Sequence, residues 1–255
     1  MATISKPLVT VILAAGQGKR MQDPTKPKVL YELAGKPLVG YVLDLAASAA
    51  SSRTIAIVGF GKEQVIKYIS AVAPKTEFAI QDTQLGTGHA LQQTTPLLQD
   101  FDGEILILYG DVPLLRKETV QHLINSHRAS GVRATILTAI FDDPAGYGRI
   151  VRTADSKHLK AIIEERDAPP EIKQIKEMNS GIYVFDAKTV LEFLDKLRSN
   201  NNQGEYYLTD VFAMITAAYG NDAVGLYVTD LPIEVSGVNT KDQLQELEGY
   251  YLKNR

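Results

Sequence analysis

Short apolar, β-branched runs alternate with helix-patterned segments from the N-terminus to residue 140, and this alternation restricts the chain to few architectures. The runs at residues 9–14, 54–58, 76–80, 104–108 and 134–139 have the length of buried strands. Residues 37–50, 62–70 and 117–130 carry helical patterns, with Pro37 near a helix start, where proline is tolerated. The glycines of Gly86-Thr87-Gly88 open a further helix. Repeated strand–helix units predict an α/β chain with a mostly parallel, doubly wound sheet and helices on both faces, binding ligands beyond the carboxyl ends of its strands. Residues 13–16, Gln81 and Asp111 all follow such ends.

The loop after the first run is rich in glycine and base: Leu13-Ala14-Ala15-Gly16-Gln17-Gly18-Lys19-Arg20-Met21, continuing to Lys26-Pro27-Lys28. Gly16 and Gly18 leave backbone N–H groups open to a polyanion, and Lys19, Arg20, Lys26 and Lys28 supply countercharge. Two common phosphate loops are excluded by spacing. No Gly-Lys-Ser/Thr follows Gly16 as a Walker A loop requires, and Met21 stands where the dinucleotide fingerprint needs its third glycine. Pro24 and Pro27 disfavour an immediate helix, so an extended basic loop suited to a triphosphate is expected. On spacing alone, a solvated basic loop fits equally well.

Composition narrows the function class. Of 255 residues, 45% are hydrophobic and 22% charged, with a net charge of −3, so a nucleic-acid surface is not expected and the local basic cluster stands out. The absence of cysteine excludes disulfides and thiolate metal sites. No apolar leader occupies residues 1–7, and no apolar run approaches the roughly 20 residues of a membrane span. A cytoplasmic location is the expectation.

The second half loses the regular alternation. Residues 146–151 and 158–163 read as a hairpin turning at Asp155-Ser156, followed by a strand at 178–185 and a helix at 187–197. A helix at 208–219, short strands at 224–228 and 233–235, and a last helix from Thr240 to Lys253 complete the chain. No linker or repeat interrupts it. The expected organisation is a single domain: a nucleotide-binding half to about residue 140, an acceptor half over 141–240 and a C-terminal helix.

The motifs LAAGQGKRM with KPKVL, QLGTGHA, YGDVPLL, GYGRIV, IIEERDA, MNSGIYVF, NQGEYYLTD and VSGVNT resemble, in this order, those of the sugar-1-phosphate nucleotidyltransferases. The strongest likeness is to the uridylyltransferase domain of bifunctional N-acetylglucosamine-1-phosphate uridyltransferase/glucosamine-1-phosphate acetyltransferases, and it runs from about Val9 to Thr240. The resemblance implies a Rossmann-like nucleotide-diphospho-sugar transferase fold and transfer of UMP from UTP to a sugar 1-phosphate, N-acetylglucosamine 1-phosphate foremost. Glucose 1-phosphate or another nucleoside triphosphate is the alternative. So is a regulatory protein that binds nucleotide sugars without turnover, although the presence of Arg20, Lys28, Asp111 and Asn239 together favours an enzyme.

The resemblance also implies roles. Asp111 and Asn239 would hold Mg²⁺, which needs few protein ligands. On residue type alone Asp111 fits a turn or helix cap better, a reading that the ordered motifs reverse, and Asn239 fits a turn. Arg20 and Lys28 would stabilise charge during in-line attack at the α-phosphate. Lys19 stands where the family usually has Thr. Leu13, Ala14, Ala15 and Gly16 would line the nucleotide, with Gln81, Gly86 and Thr87 at the uracil. A Gln amide offers one donor and one acceptor to match uracil O4 and N3–H. Tyr109, Gly148, Glu164 and Asn179 would hold the sugar phosphate. Glu165 reads as a solvated carboxylate, and the four histidines as structural or surface residues. Glu205, Tyr206 and Tyr207 match a family segment near the sugar, but two adjacent tyrosines equally fit a half-buried packing pair and these residues are assigned no role. The bifunctional relatives continue into a β-helix of hexapeptide repeats that carries acetyl transfer and trimerisation. This sequence has no such repeats, so acetyl transfer is not expected and the family's trimer is left open.

Overall fold

The computed structural model describes residues 6–254. Residues 1–5, part of the stretch read as lacking a leader, lie outside the described residues. The elements follow in chain order as β1 Leu8–Ala14, β2 Glu32–Leu33, β3 Lys36–Pro37, α1 Leu38–Ser48, β4 Arg53–Val58, α2 Lys62–Val72, β5 Glu77–Ile80, α3 Thr87–Gln92, α4 Thr95–Leu98, β6 Glu104–Tyr109, α5 Lys117–Ser130 and β7 Ala134–Ile140. Then come β8 Arg149–Arg152, β9 Leu159–Ile163, α6 Pro170–Lys173, β10 Glu177–Asp186, α7 Ala187–Leu194, α8 Asp210–Tyr219, β11 Val224–Val228 and α9 Lys241–Lys253.

The main sheet runs β11-β7-β10-β6-β1-β4-β5, with the β8–β9 hairpin attached to β10. β1 pairs in parallel with β4 and β6, β4 with β5, and β7 with β11. β10 is antiparallel to both β6 and β7, so it alone on this path is reversed. Its reversal carries its first residues to the carboxyl ends of the parallel strands: Asn179 lies opposite Thr138 near the end of β7. β10 bulges between Asn179 and Tyr183.

Every residue of β1 is buried, as expected of a central strand covered on both faces. Alternation divides them. Val9, Val11 and Leu13 enter a core with Ile55, Ile107, Tyr183 and Phe212, while Leu8, Ile12 and Ala14 enter the opposite core with Val39, Val65 and Ile124. A third cluster of Met21, Leu33, Leu38, Val238 and Leu247 packs the basic loop and the 238 turn against α9. Burying a side chain such as Met21 contributes about 2 kcal/mol, and here it anchors two functional loops to one helix.

Two expectations change. Residues 232–235 form a 3₁₀ turn, not a strand, because Pro232 starts it and the fully buried Glu234 carboxylate is drawn to Arg116, Thr119 and Thr229. The basic loop is not extended throughout: single 3₁₀ turns occupy Lys19–Met21 and Lys28–Leu30, each pulled inward by a buried apolar residue, Met21 and Val29. Among the described residues no helix is long and apolar enough to cross a membrane.

Candidate active site

The basic loop leaves β1 at Leu13-Ala14-Ala15, passes the exposed Gly16 and folds back on itself. Gly18 has φ +63°, and a Cβ there would lie 2.7 Å from Lys28 Cβ, so glycine permits both the turn and the close packing of its two arms. Asp23 tightens the bend by accepting from Thr25 N at 2.9 Å and from the Tyr31 hydroxyl at 2.9 Å. Arg20 is exposed, with no carboxylate partner among the described residues. Its charge acts on the Tyr147 phenol, opposing the rise in pKa that burial causes there.

Lys28 turns inward. Its ammonium contacts Asp111 Oδ2 and donates to Asn239 Oδ1 at 3.0 Å. Asp111 follows β6, whose end is tied to β1 by Gly110 N donating to Leu13 O at 3.0 Å. The Asp111 carbonyl accepts from Val238 N at 2.9 Å, which brings the 238 turn alongside. Asn239 precedes α9, where Thr240 Oγ1 accepts from Gln243 N at 3.2 Å while Gln243 Oε1 accepts from Asn239 N at 2.8 Å. This reciprocal cap resembles a capping box displaced by one residue, and it holds the Asn239 backbone. Two hard oxygens, one anionic, therefore converge where an ammonium now stands. That donor set fits Mg²⁺, which accepts a carboxylate and an amide oxygen and fills its other positions with water and phosphate. No group of three or more His, Cys, Asp or Glu side chains able to hold a metal occurs among the described residues.

Gln81 follows β5 and is 3% exposed. Its Nε2 donates to Gly86 O at 3.0 Å and contacts His89 Nδ1 at 3.0 Å. One amide proton is engaged by the Gly86 carbonyl, and Oε1, an acceptor suited to an N–H edge, makes no hydrogen bond among the described residues. Gly86 has φ +106°, and a Cβ there would lie 2.6 Å from the Tyr206 carbonyl oxygen. The 85–88 segment is stitched to residues 206–208 by Tyr206 N to Leu85 O, Gly88 N to Tyr206 O and Leu208 N to Thr87 Oγ1.

On the other side stand Tyr109, Gly148, Glu164 and Asn179. Thr209 Oγ1 donates to Glu164 Oε1 at 2.9 Å, while a side chain at residue 148 would crowd Oε2 at 3.3 Å, so glycine keeps that oxygen uncovered. Burial, reinforced by Asp210, Asp167 and Glu205, pushes the Glu164 carboxyl above its ordinary range, against the Thr209 hydrogen bond. Burial raises the Tyr109 phenol strongly, with the charges of Glu164 and Asp111 adding to it. Asn179 Nδ2 donates to the Tyr183 hydroxyl at 2.8 Å, and its backbone N–H donates to Gly148 O at 2.8 Å. Glu165 is not solvated as expected. It pairs with the buried Arg149 guanidinium at 2.9 Å and with Lys173 at 3.5 Å, which fixes the β9 end beside Glu164.

Leu13, Ala14, Ala15, Gly16, Arg20, Lys28, Gln81, Gly86, Thr87, Tyr109, Asp111, Gly148, Glu164, Asn179 and Asn239 line one cleft of about 590 Å³, whereas Lys26 and Tyr206 do not. Gln84, Arg166, Gln203 and Thr209 also line it; they lie within the motifs QLGTGHA, IIEERDA and NQGEYYLTD, which assign them no role of their own. Glu205 and Tyr207, read as near the sugar, line it as well.

Two solved structures share the fold. UDP-glucose pyrophosphorylase complexed with UDP-glucose superposes with a TM-score of 0.76 at 17% identity, covering 98% of this chain and 100% of that one. A Bacillus anthracis structure assigned as a glucose-1-phosphate thymidylyltransferase gives 0.77 at 17% identity, covering 95% and 94%. Among curated proteins, the bifunctional protein GlmU of Geobacillus thermodenitrificans is 44% identical over 238 residues, 93% of this chain and 50% of the relative. That of Pelotomaculum thermopropionicum is 43% identical over 243 residues, 95% and 52%. The chain spans about half the length of these relatives. The model of the MobA-like NTP transferase domain matches residues 10–178, taking in the basic loop, Gln81, Asp111 and Glu164, and on that match the chain belongs to this family.

Proposed function

We propose that the protein transfers UMP from UTP to N-acetylglucosamine 1-phosphate, giving UDP-N-acetylglucosamine and pyrophosphate, with Mg²⁺ held by Asp111 and Asn239. The observation that carries this reading is the order of groups along the sheet. Gln81 follows β5, the basic loop follows β1, Asp111 follows β6, and Asn179 sits at the start of the reversed β10, so along the sheet the groups read as base, triphosphate, metal and acceptor sites in turn, with only β4 intervening between β5 and β1. The half-length relatives named above share this chain at 43–44% identity, which supports the uridylyl half of the bifunctional activity and does not bear on acetyl transfer.

The acceptor needs no catalytic base, because a phosphate monoester with a second pKa of about 6 is largely dianionic at neutral pH. One of its oxygens forms a bond to the α-phosphorus of UTP while the bond from that phosphorus to the β-bridging oxygen breaks, and pyrophosphate leaves with the electron pair. Arg20 and Lys28 stabilise the charge that grows on the equatorial oxygens and the leaving group. When bound, Mg²⁺ supplies further neutralisation of the phosphate oxygens. Glu164 Oε2 accepts from a sugar hydroxyl, and Asn179, held by Tyr183, frames the sugar from the opposite strand. Both halves of the sheet act in this reading as one transferase unit.

Pyrophosphate release from UTP and Mg²⁺ across a panel of sugar 1-phosphates tests it. Release with N-acetylglucosamine 1-phosphate above all others is expected; silence across the panel despite UTP binding overturns the transferase reading. A preference for glucose 1-phosphate overturns the acceptor assignment.

A further inference from the structure

The base-side amide is locked from behind, and the lock is a residue outside the catalytic set. Gln81 Nε2 lies 3.0 Å from the Gly86 carbonyl oxygen, which can only accept, so the amino group faces Gly86 and the carbonyl Oε1 faces away. The second Nε2 proton points to His89 Nδ1 at 3.0 Å. For that contact to be a hydrogen bond, His89 Nδ1 must be the bare nitrogen and Nε2 must carry the ring proton. Gln93 Nε2 donates to the His89 carbonyl at 2.9 Å; with the proton on His89 Nε2 its 3.3 Å contact to that nitrogen is between two donors, whereas the opposite tautomer would satisfy it at the expense of the shorter Gln81 contact. Oε1 of Gln81 makes no hydrogen bond among the described residues, although the side chain is 97% removed from solvent and lines the cleft. A buried acceptor left open to a ligand site discriminates by the penalty of leaving it unpaired.

We propose that His89 is a positioning residue for nucleotide selection: by accepting from Gln81 Nε2 it fixes the polarity of the Gln81 amide, so that the cleft presents an acceptor to the base and selects a base with a ring N–H over one with a bare ring nitrogen. Uracil N3–H satisfies Oε1. Cytosine N3 sets a lone pair against it, and relief by rotating the amide would place Oε1 against the Gly86 carbonyl and the His89 lone pair. Two acceptors behind the amide therefore oppose rotation where Gly86 alone would oppose it less. This inference rests on the uridylyl-transfer reading and adds the residue that enforces its base preference.

The test compares kcat/KM for UTP and CTP, at saturating acceptor, in the wild type, His89→Leu and His89→Asn. Leucine fills the space of the ring without an acceptor, whereas the Asn carbonyl can occupy the position of Nδ1. The UTP-over-CTP ratio is expected to fall roughly tenfold in His89→Leu, mainly through KM for UTP, and to return to within about threefold of wild type in His89→Asn. A merely structural role would lower both nucleotides together and leave the ratio unchanged, and that result overturns the inference. So does a wild-type nitrogen-15 spectrum in which His89 Nδ1, not Nε2, carries the proton, a measurement that needs no variant to fold. A wild type with no preference for UTP would instead overturn the uridylyl-transfer reading itself.

Discussion

The Lys28 ammonium sits against the Asp111 carboxylate, with the Asn239 amide oxygen 3.0 Å away on its other side. Lysine thereby occupies the point where a cation between Asp111 and Asn239 would lie. Replacing Lys28 with Met is expected to free both oxygens and strengthen Mn²⁺ binding to the protein alone, read by electron paramagnetic resonance. Pyrophosphate release from UTP should nevertheless fall by about 10²–10³, because a cation fixed near the developing charge is lost. Weaker Mn²⁺ binding in the variant would contradict the competition.

Glu234 is the buried counterpart of that arrangement. Its carboxylate accepts from Arg116 Nε at 2.9 Å and from Thr119 Oγ1 at 2.9 Å, and it lies on the turn leading to Asn239. Glu234→Ala should cost about 1–3 kcal/mol of stability in urea unfolding, since the buried Thr119 and Thr229 hydroxyls lose their acceptor. Metal affinity should fall with it, because the 237–239 segment loses its anchor.

His127 sets a pH dependence of stability away from the cleft. It is buried, its Nδ1 lies 3.0 Å from Thr135 Oγ1, and burial pulls its pKa down to about 4. Above pH 6.5 neither folded nor unfolded chain protonates this ring, and its contribution is complete. As pH falls below 6.5 the unfolded chain takes up the proton first, and stability is lost at about 1.4 kcal/mol per unit until about pH 4, up to about 3 kcal/mol. The difference between wild type and His127→Asn in denaturant midpoint, followed from pH 7 to pH 4, should track this loss; parallel curves would refute it.

Gly86 carries the contact between the base-side loop and residues 206–208. Gly86→Ala places a Cβ 2.6 Å from the Tyr206 carbonyl oxygen at a φ of +106°. The substitution should destabilise the protein by about 1–3 kcal/mol and raise KM for UTP more than KM for the acceptor. Equal changes in the two KM values would show that the loop serves both sites.

Much of this protein is determined locally. Strand and helix positions through residue 140 follow from apolar runs and their flanking glycines, and α5 falls on the expected residues 117–130. The basic loop, Gln81 and Asp111 are legible as strand-end residues for the same reason. Tertiary structure decided the rest. Nothing in the pattern of residues 177–186 says that this strand enters the sheet reversed between β6 and β7, yet that reversal is what brings Asn179 to the same edge as Asp111. Residues 232–235 have strand-like composition, but a buried carboxylate with partners more than a hundred residues away in sequence bends them into a turn. The polarity of the Gln81 amide and the pairing of Glu165 with Arg149 likewise depend on groups that meet only after folding. Apolar periodicity specifies which segments are buried, because burial is a local property of side chains. Direction of insertion, hydrogen-bond polarity and ion pairing belong to contacts between distant segments, and so they are settled only in the packed chain.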